Sequence, residues 1–378
     1  MNLALSDEQV FLREAARGAL SRFKTLEAAR GALDGEPDAL PDLWPTAREA
    51  GWPGLLIDEE HGGAGLDAFD AMLVLGECGR VIAPIQLLGH LPATAILGED
   101  SGAGAALLDA LATGERRAAY LPVSPPSDLD ERWSVDAARG LARPDAPRAL
   151  AGDGGASVTG ELAFVPDAPG ADVLVGVALL DGRPVGVAIE GDASGVSIES
   201  VRRYDATREL GHVKLDGAPA ILLDAPVESL AGAWYLAQAL IAAESLGSVE
   251  TALDVSVAYA KERHTFGRAI GSYQAVKHGL TEVLRQLDNG RSLLYYAGWA
   301  RNGSPAEFPL AASASRSVGS RALDFAARTM ISVHGGIGAT WEHDAPLYFR
   351  RAQLSRRLLG GTGQATDRVA GELIAQAS

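Results

Sequence analysis

Cysteine is nearly missing from this 378-residue sequence, where Cys78 stands alone. One thiol forms no disulfide within the chain and builds no cysteine-ligated zinc or iron–sulfur site, so Cys78 reads as a small buried apolar residue. Long apolar runs are missing as well. The stretches around Asp172–Leu180 and Leu236–Ala243 fall far short of the ~20 residues a membrane helix needs, so no membrane span is expected. Positive charge is scarce: 33 Lys and Arg against 49 Asp and Glu leave a formal charge of −16, and lysine occurs only at Lys24, Lys214, Lys261 and Lys277. That balance is the wrong sign for neutralising a phosphate backbone, which argues against nucleic acid as a partner. The start, Met1-Asn-Leu-Ala-Leu-Ser6 followed by Asp7 and Glu8, has neither the basic stretch nor the apolar core of a secretion signal, and a cytoplasmic location is expected.

Self-contained catalytic patterns are also sparse. The histidines (His61, His90, His212, His264, His278, His334, His343) are scattered without metal-ligand spacing. Glu209 and His212 form one Glu-x-x-His, but a helical di-iron site needs two such pairs and two further glutamates, so no metal is expected. No nucleophile elbow, Walker loop or Rossmann glycine fingerprint follows a strand, which disfavours a serine hydrolase and a nicotinamide-binding domain.

What is present falls into three blocks. Residues 1–120 read as a helical domain: Ser6 and Gln9 form a capping-box pattern ahead of Val10, Phe11, Ala15 and Leu20, and a second helix runs through Leu43, Trp44, Ala47 and Ala50. A loop over Ile57–Gly65 precedes another helix through Ala71, Leu73, Leu75 and Gly79, and Leu107–Leu111 closes the block near Gly114. Over 121–225 the period changes from 3.6 to 2. Two strands, 173–180 and 185–189, flank a tight Asp181-Gly182 turn, and further strands are expected at 157–165, 195–201 and 212–215, giving a small antiparallel β domain. From 226 to 378 the helical period returns: Leu236, Leu240, Ala243, Gly247, Glu250 and Asp254 share one face of a helix long enough to reach Arg263, and further helices are expected over 274–303, 310–334 and 344–359. The fold class is α+β and multidomain.

Two segments are dense in chemistry. Glu262-Arg-His-Thr-Phe-Gly-Arg-Ala-Ile-Gly-Ser-Tyr-Gln-Ala-Val-Lys-His278 places a guanidinium (Arg263), an aromatic face (Phe266) and an amide (Gln274) around a glycine-containing turn, a set suited to a phosphate diester. The plainer alternative has Arg263 satisfying helix carbonyls and Phe266 in the core. In Val333-His-Gly-Gly-Ile-Gly-Ala-Thr-Trp-Glu-His-Asp344, Gly335 and Gly336 permit close approach of backbone to a ligand, or simply make a turn.

In this order and separation the two segments resemble the acyl-CoA dehydrogenase family. Asp58-Glu-Glu-His-Gly-Gly-Ala-Gly65 is similar to the family's Pro-Glu-Glu-x-Gly-Gly-x-Gly, and Leu75-Gly-Glu-Cys-Gly-Arg80, Asp205-Ala-Thr-Arg208 and Tyr259-Ala-Lys-Glu-Arg263 have counterparts too. The resemblance implies an N-terminal helical domain, a middle β domain and a C-terminal four-helix bundle. It implies FAD at a subunit interface in a homo- or hetero-oligomer, an acyl-CoA or acyl-carrier-protein thioester as substrate, and an electron-transfer flavoprotein or similar acceptor. Arg263 and Phe266 would meet the adenosine diphosphate half of FAD, with Gln274, Gly335 and Gly336 nearby, and Thr362 and Gln364 match the family's Thr-x-Gln.

Two departures stand out. The family's base is a glutamate just before a Gly-Thr pair, whereas Leu358-Leu-Gly-Gly-Thr-Gly-Gln364 puts Gly360 there, or Leu359 on an ungapped count; some members place it on the long helix, at the position of Ala237. Abstraction of an α proton needs a carboxylate, and Glu244, set in Leu240-Ile-Ala-Ala-Glu-Ser-Leu-Gly247, is the candidate, its alternative being a glutamate paired with an arginine. The family's flavin-contacting loop is replaced by Leu121-Pro-Val-Ser-Pro-Pro-Ser-Asp128, with Ser127-Asp128 as its remnant. Both departures resemble actinobacterial members that act as heteromers, in which one subunit type has lost its catalytic residue. The expected activity is α,β-desaturation of an acyl thioester, with two alternatives: a non-catalytic partner subunit, or a member using a carrier-protein substrate.

Overall fold

The computed structural model describes residues 4–36, 38–122, 134–135, 142–143, 146–152 and 155–377; Ser127-Asp128 lies outside them. The chain opens on helices α1 (Asp7–Leu20), α2 (Thr25–Asp34), α3 (Trp44–Glu49), α4 (Ala68–Arg80), α5 (Leu87–Leu97) and α6 (Leu108–Ala112). Ser6 caps α1 as expected, its Oγ accepting from the Gln9 N–H at 3.2 Å while Gln9 Oε1 accepts from the Ser6 N–H at 3.1 Å. Helices α2 and α5 were not foreseen. Helix α5 is buried all round and carries Pro92 inside it, so it offers no polar face and no 3.6 period to read.

The strands follow: β1 (Ala118–Leu121), β2 (Ser134–Val135), β3 (Ala142–Arg143), β4 (Arg148–Gly152), β5 (Gly155–Pro166), β6 (Val173–Leu180), β7 (Arg183–Glu190), β8 (Val196–Ser200) and β9 (Leu210–Leu223). Pairings run from β6 to β4, β5, β9, β7 and back to β6, closing a ring, with β8 beside β9. The β6–β7 hairpin turns through Asp181 (φ 50°) and Gly182 (φ 78°), the left-handed pair a two-residue turn requires. The expectation of a purely antiparallel domain is corrected. Strand β1 pairs parallel with β6, and β4 meets β6 in parallel at Leu179 and Leu180. Period-2 patterning marks a strand and its buried face but carries no information on partner direction. Strand β1 also begins before residue 121, where the β block was expected to start.

The rest is helical: α7 (Val227–Glu262), the short pair β10 (His264–Thr265) and β11 (Arg268–Ala269), then α8 (Gln274–Gly303), α9 (Phe308–His334), α10 (Ala345–Ser355) and α11 (Gly361–Ala377). Helix α9 packs against α7, α8, α10 and α11, and α7 also packs against α4 and α5, joining both helical regions in one core. The crossing of α4 on α7 explains Gly79 of the Leu75–Arg80 motif and Gly247 on the facing helix. A Cβ on Gly79 would lie 1.9 Å from the Glu244 carbonyl oxygen, and one on Gly247 would lie 1.9 Å from that of Gly76. Cys78 is fully buried on the same helix. Among the described residues no helix is long and apolar enough to cross a membrane.

Candidate functional site

Helix α7 stops at Glu262, and the Arg263 N–H still donates to the Tyr259 carbonyl at 2.8 Å. The chain then forms the β10–β11 hairpin, with Phe266 (φ 49°) and Gly267 (φ 78°) at its tip. A left-handed Phe is costly backbone, and here it projects the ring outward. Phe266 is 93% exposed, so it is no part of the core. The hairpin is braced from behind: the Arg268 guanidinium lies 4.0 Å from the Tyr273 ring centre, and the Tyr273 hydroxyl donates to the Thr265 carbonyl at 3.1 Å. Arg263 and Gln274 stand exposed at its foot, where α7 ends and α8 begins.

Helix α9 ends at His334, and Gly335 follows with φ 64° and ψ −137°, a conformation closed to residues with a Cβ. Added Cβ atoms at Gly335 and Gly336 would meet nothing within 4 Å, so this backbone faces open space. Rings join the two motifs: His334 packs at a tilt against Tyr259, 4.3 Å between centroids, and against His343 at 4.1 Å. Tyr259 is one turn before Arg263, so this packing sets the glycine loop beside the hairpin. This clamp was missed because ring contacts between distant segments leave no periodic trace.

Thr362 and Gln364 sit elsewhere. Leu359, Gly360 and Gly361 have φ of 50°, 75° and 72° and bring the chain into α11. The buried Arg316 of α9 holds this turn, its Nη2 donating to the Ser355 and Leu358 carbonyls at 2.5 and 3.1 Å and its Nε to Gln238 Oε1 at 3.1 Å. Gln238 in turn donates to the Leu359 carbonyl at 2.9 Å. Among the described residues Arg316 has no carboxylate within ion-pair distance, and burial draws its pKa down to about 9. A lone arginine in the small-residue run around it was the available signal. A Cβ at Gly360 would lie 1.7 Å from Gln364 Oε1 and 3.2 Å from Trp234 Cζ2. Gln238 touches Arg316 and Tyr259 touches His334, so α7 and α9 run in the same direction, and the helical rise puts ~37 Å between Gln238 and Arg263 along α7. The site residues therefore form two groups at opposite ends of the α7–α9 pair.

The acyl-CoA dehydrogenase N-terminal domain family matches residues 6–123, and the acyl-CoA dehydrogenase C-terminal domain family matches residues 233–374. The chain belongs to the acyl-CoA dehydrogenase family. Acyl-CoA dehydrogenase FadE34 of Mycobacterium tuberculosis is 31% identical over 98% of this chain, which spans about half (48%) of that relative's length. Acyl-CoA dehydrogenase IpdE2 of Mycolicibacterium smegmatis is 29% identical over 98% of this chain and 100% of its own. Among solved structures, a variant of the Tcur3481-Tcur3483 steroid acyl-CoA dehydrogenase has a TM-score of 0.86 at 27% identity, covering 98% of both chains.

Against the family's need for a base, the geometry gives Glu244 the arginine partners of its alternative reading. It is 2% exposed, and both carboxylate oxygens are taken. Arg351 Nη1 donates to Oε1 at 2.6 Å, and Arg208 Nη2 donates to Oε2. Arg351 also bonds Asp205 Oδ2 and Thr207 Oγ1, each at 2.6 Å. Glu244 is thus the arginine-paired glutamate of the alternative reading, within a neutral cluster of two carboxylates and two guanidinium groups. The Asp205-Ala-Thr-Arg208 motif now has a function of its own: it ties the loop between β8 and β9 to α7 and α10. Ala237 is fully buried and brings no ionisable group.

Proposed function

We propose that this chain is a FAD-binding subunit of an acyl-CoA dehydrogenase that desaturates an acyl thioester between Cα and Cβ, and that a homologous partner chain supplies the carboxylate that takes the α proton. The carrying observation is the turn at Gly360. Gly360 and Leu359, the two residues that count onto the family's base position, bring no carboxylate, while the candidate carboxylate, Glu244, is engaged by Arg208 and Arg351.

The residues present fit the cofactor. Arg263 offers a planar charged fork for a pyrophosphate, Phe266 an uncovered ring for an aromatic group, and Gly335 and Gly336 a backbone that a large ligand can approach. When bound, FAD supplies the acceptor for the hydride leaving Cβ. This chain's residues bind and orient it: Arg263, Phe266 and Gln274 hold one end beside the Gly335–Gly336 backbone, and Thr362 and Gln364 serve the opposite end of the α7–α9 pair. The ~37 Å between those ends supports one cofactor drawing on two chains. The name of the Tcur3481-Tcur3483 relative joins two components, which supports a two-chain assembly.

The test is spectroscopic. The purified chain is loaded with FAD, mixed with acyl-CoA, and then supplemented with a homologous chain bearing glutamate at the position equivalent to Gly360 or Ala237. The flavin is expected to stay oxidised until that second chain is added. Bleaching by the chain alone at turnover rates overturns the proposal.

A further inference from the structure

A cavity of about 500 Å³ lies between the N-terminal helices and the bundle, within the size range of small-molecule sites. Its wall is mostly polar and includes Asp58, Asp67, Glu99, Leu236, Arg301 and Asn302. Leu236 is two residues from both Trp234 and Gln238, which puts it on the opposite face of α7 from the residues bordering Gly360. The cavity is therefore separate from the site described above.

Arg301 is seated for display into this space. A Cβ on Gly232 would lie 2.6 Å from its Nη1, so only glycine lets the guanidinium rest on α7, and its Cζ is 5.2 Å from the Phe308 ring centre. Among the described residues it makes no hydrogen bond or ion pair; Glu99 acts on it through charge, and burial holds its pKa below the usual arginine value. Asp67 is occupied by the Phe69 and Asp70 N–H groups at 2.8 and 3.1 Å. Asp100, also in the wall, accepts from the Gly104 and Asp224 N–H groups at 2.7 and 2.6 Å. Asp58, Glu99 and Glu60, the last only 3.8 Å from the His61 ring, are left to face a ligand. Among the described residues no three His, Cys, Asp or Glu side chains converge as metal ligands do. A desolvated guanidinium calls for an oxyanion, and carboxylates around it repel a plain anion while attracting a positive donor.

We propose that this cavity binds a small zwitterion of the amino-acid class, its carboxylate on Arg301 and its ammonium toward Asp58 and Glu99. The full chain with FAD is titrated with a panel of α-, β- and γ-amino acids, using plain carboxylates and plain amines of matched length as controls. At least one amino acid is expected to raise the melting temperature and to give binding heat where its controls do not. Arg301→Met is expected to weaken that binding roughly tenfold or more, the loss of a charge-assisted contact. Because Arg301 is partly buried, Glu99→Gln, an exposed change, provides a second variant with the same expected direction. Flavin content is expected to stay constant throughout. Failure of every amino acid to bind overturns the proposal, as does equal binding of plain carboxylates or unchanged affinity in both variants.

Discussion

A buried carboxylate between two buried guanidinium groups is held by their fields, and losing its charge strands them. Glu244→Gln leaves Arg351 paired with Asp205 and takes from Arg208 the carboxylate it bonds. Breaking such a pair from one side costs about 3–5 kcal/mol, so the expected outcome is a marked fall in the urea midpoint, with any loss of activity following from lost folded protein. An unchanged midpoint contradicts the structural role. Asp167 gives a second test. Burial pushes its carboxyl up to about 7, with the charges of Glu209 and Glu244 adding to the rise and Arg208 and the Gly89 N–H opposing it. A folded pKa above the ordinary carboxylate value means that folding favours the protonated form. That contribution is complete near pH 4 and is lost as pH rises through 7. Asp167→Asn stays neutral, keeps an acceptor for Gly89 and tolerates the left-handed φ of 61°. It is expected to exceed the wild type in stability at pH 8 by ~1–4 kcal/mol, with the difference gone at pH 4; a pH-independent difference removes Asp167 as the titrating group.

The turn between α10 and α11 sets the test at the level of elements. Gly360→Ala combines a φ of 75° with a Cβ placed against Gln364, and the expected cost is about 1–3 kcal/mol in thermal or urea unfolding. For the same reason Gly360→Glu alone is not expected to let the chain reduce its flavin, whereas pairing it with Gln364→Ala gives the new side chain space. Flavin bleaching by the single variant contradicts this. Which elements were legible follows from the same physics. Helix α1 announced itself through Ser6 and Gln9, and the β6–β7 hairpin through Asp181-Gly182, because caps and tight turns are written in adjacent residues. Helix α5, apolar on every side, and the parallel β1–β6 pairing left no local mark. At the site, the Arg263–Gln274 and Gly335–Gly336 motifs were legible as residue types in a fixed order. Their joining through Tyr259, His334 and His343, the Arg316 brace and the capture of Glu244 by Arg351 rest on side chains far apart in sequence, which spacing alone does not report.

For the whole molecule, the proposed sharing of a cofactor between chains makes flavin binding and assembly one equilibrium. Each FAD then stabilises the assembled state by mass action, so apparent FAD affinity should rise with chain concentration and dilution should release flavin along with dissociation. A formal charge of −16 on each copy of this chain opposes its self-association at low salt, and added salt should tighten assembly of such copies. Phe266 separates this view from a site closed within one chain. At 93% exposure its ring rests on almost nothing of its own chain, so Phe266→Ser should leave the melting of the flavin-free protein within about 0.5 kcal/mol of the wild type, as surface changes do. If the ring covers a cofactor and a neighbouring chain, the same substitution should lower flavin retained after dialysis and shift the light-scattering mass toward the 39.2 kDa of one chain. A variant that keeps its FAD as a lone chain contradicts sharing, and one that loses FAD while the assembly persists confines Phe266 to cofactor contact.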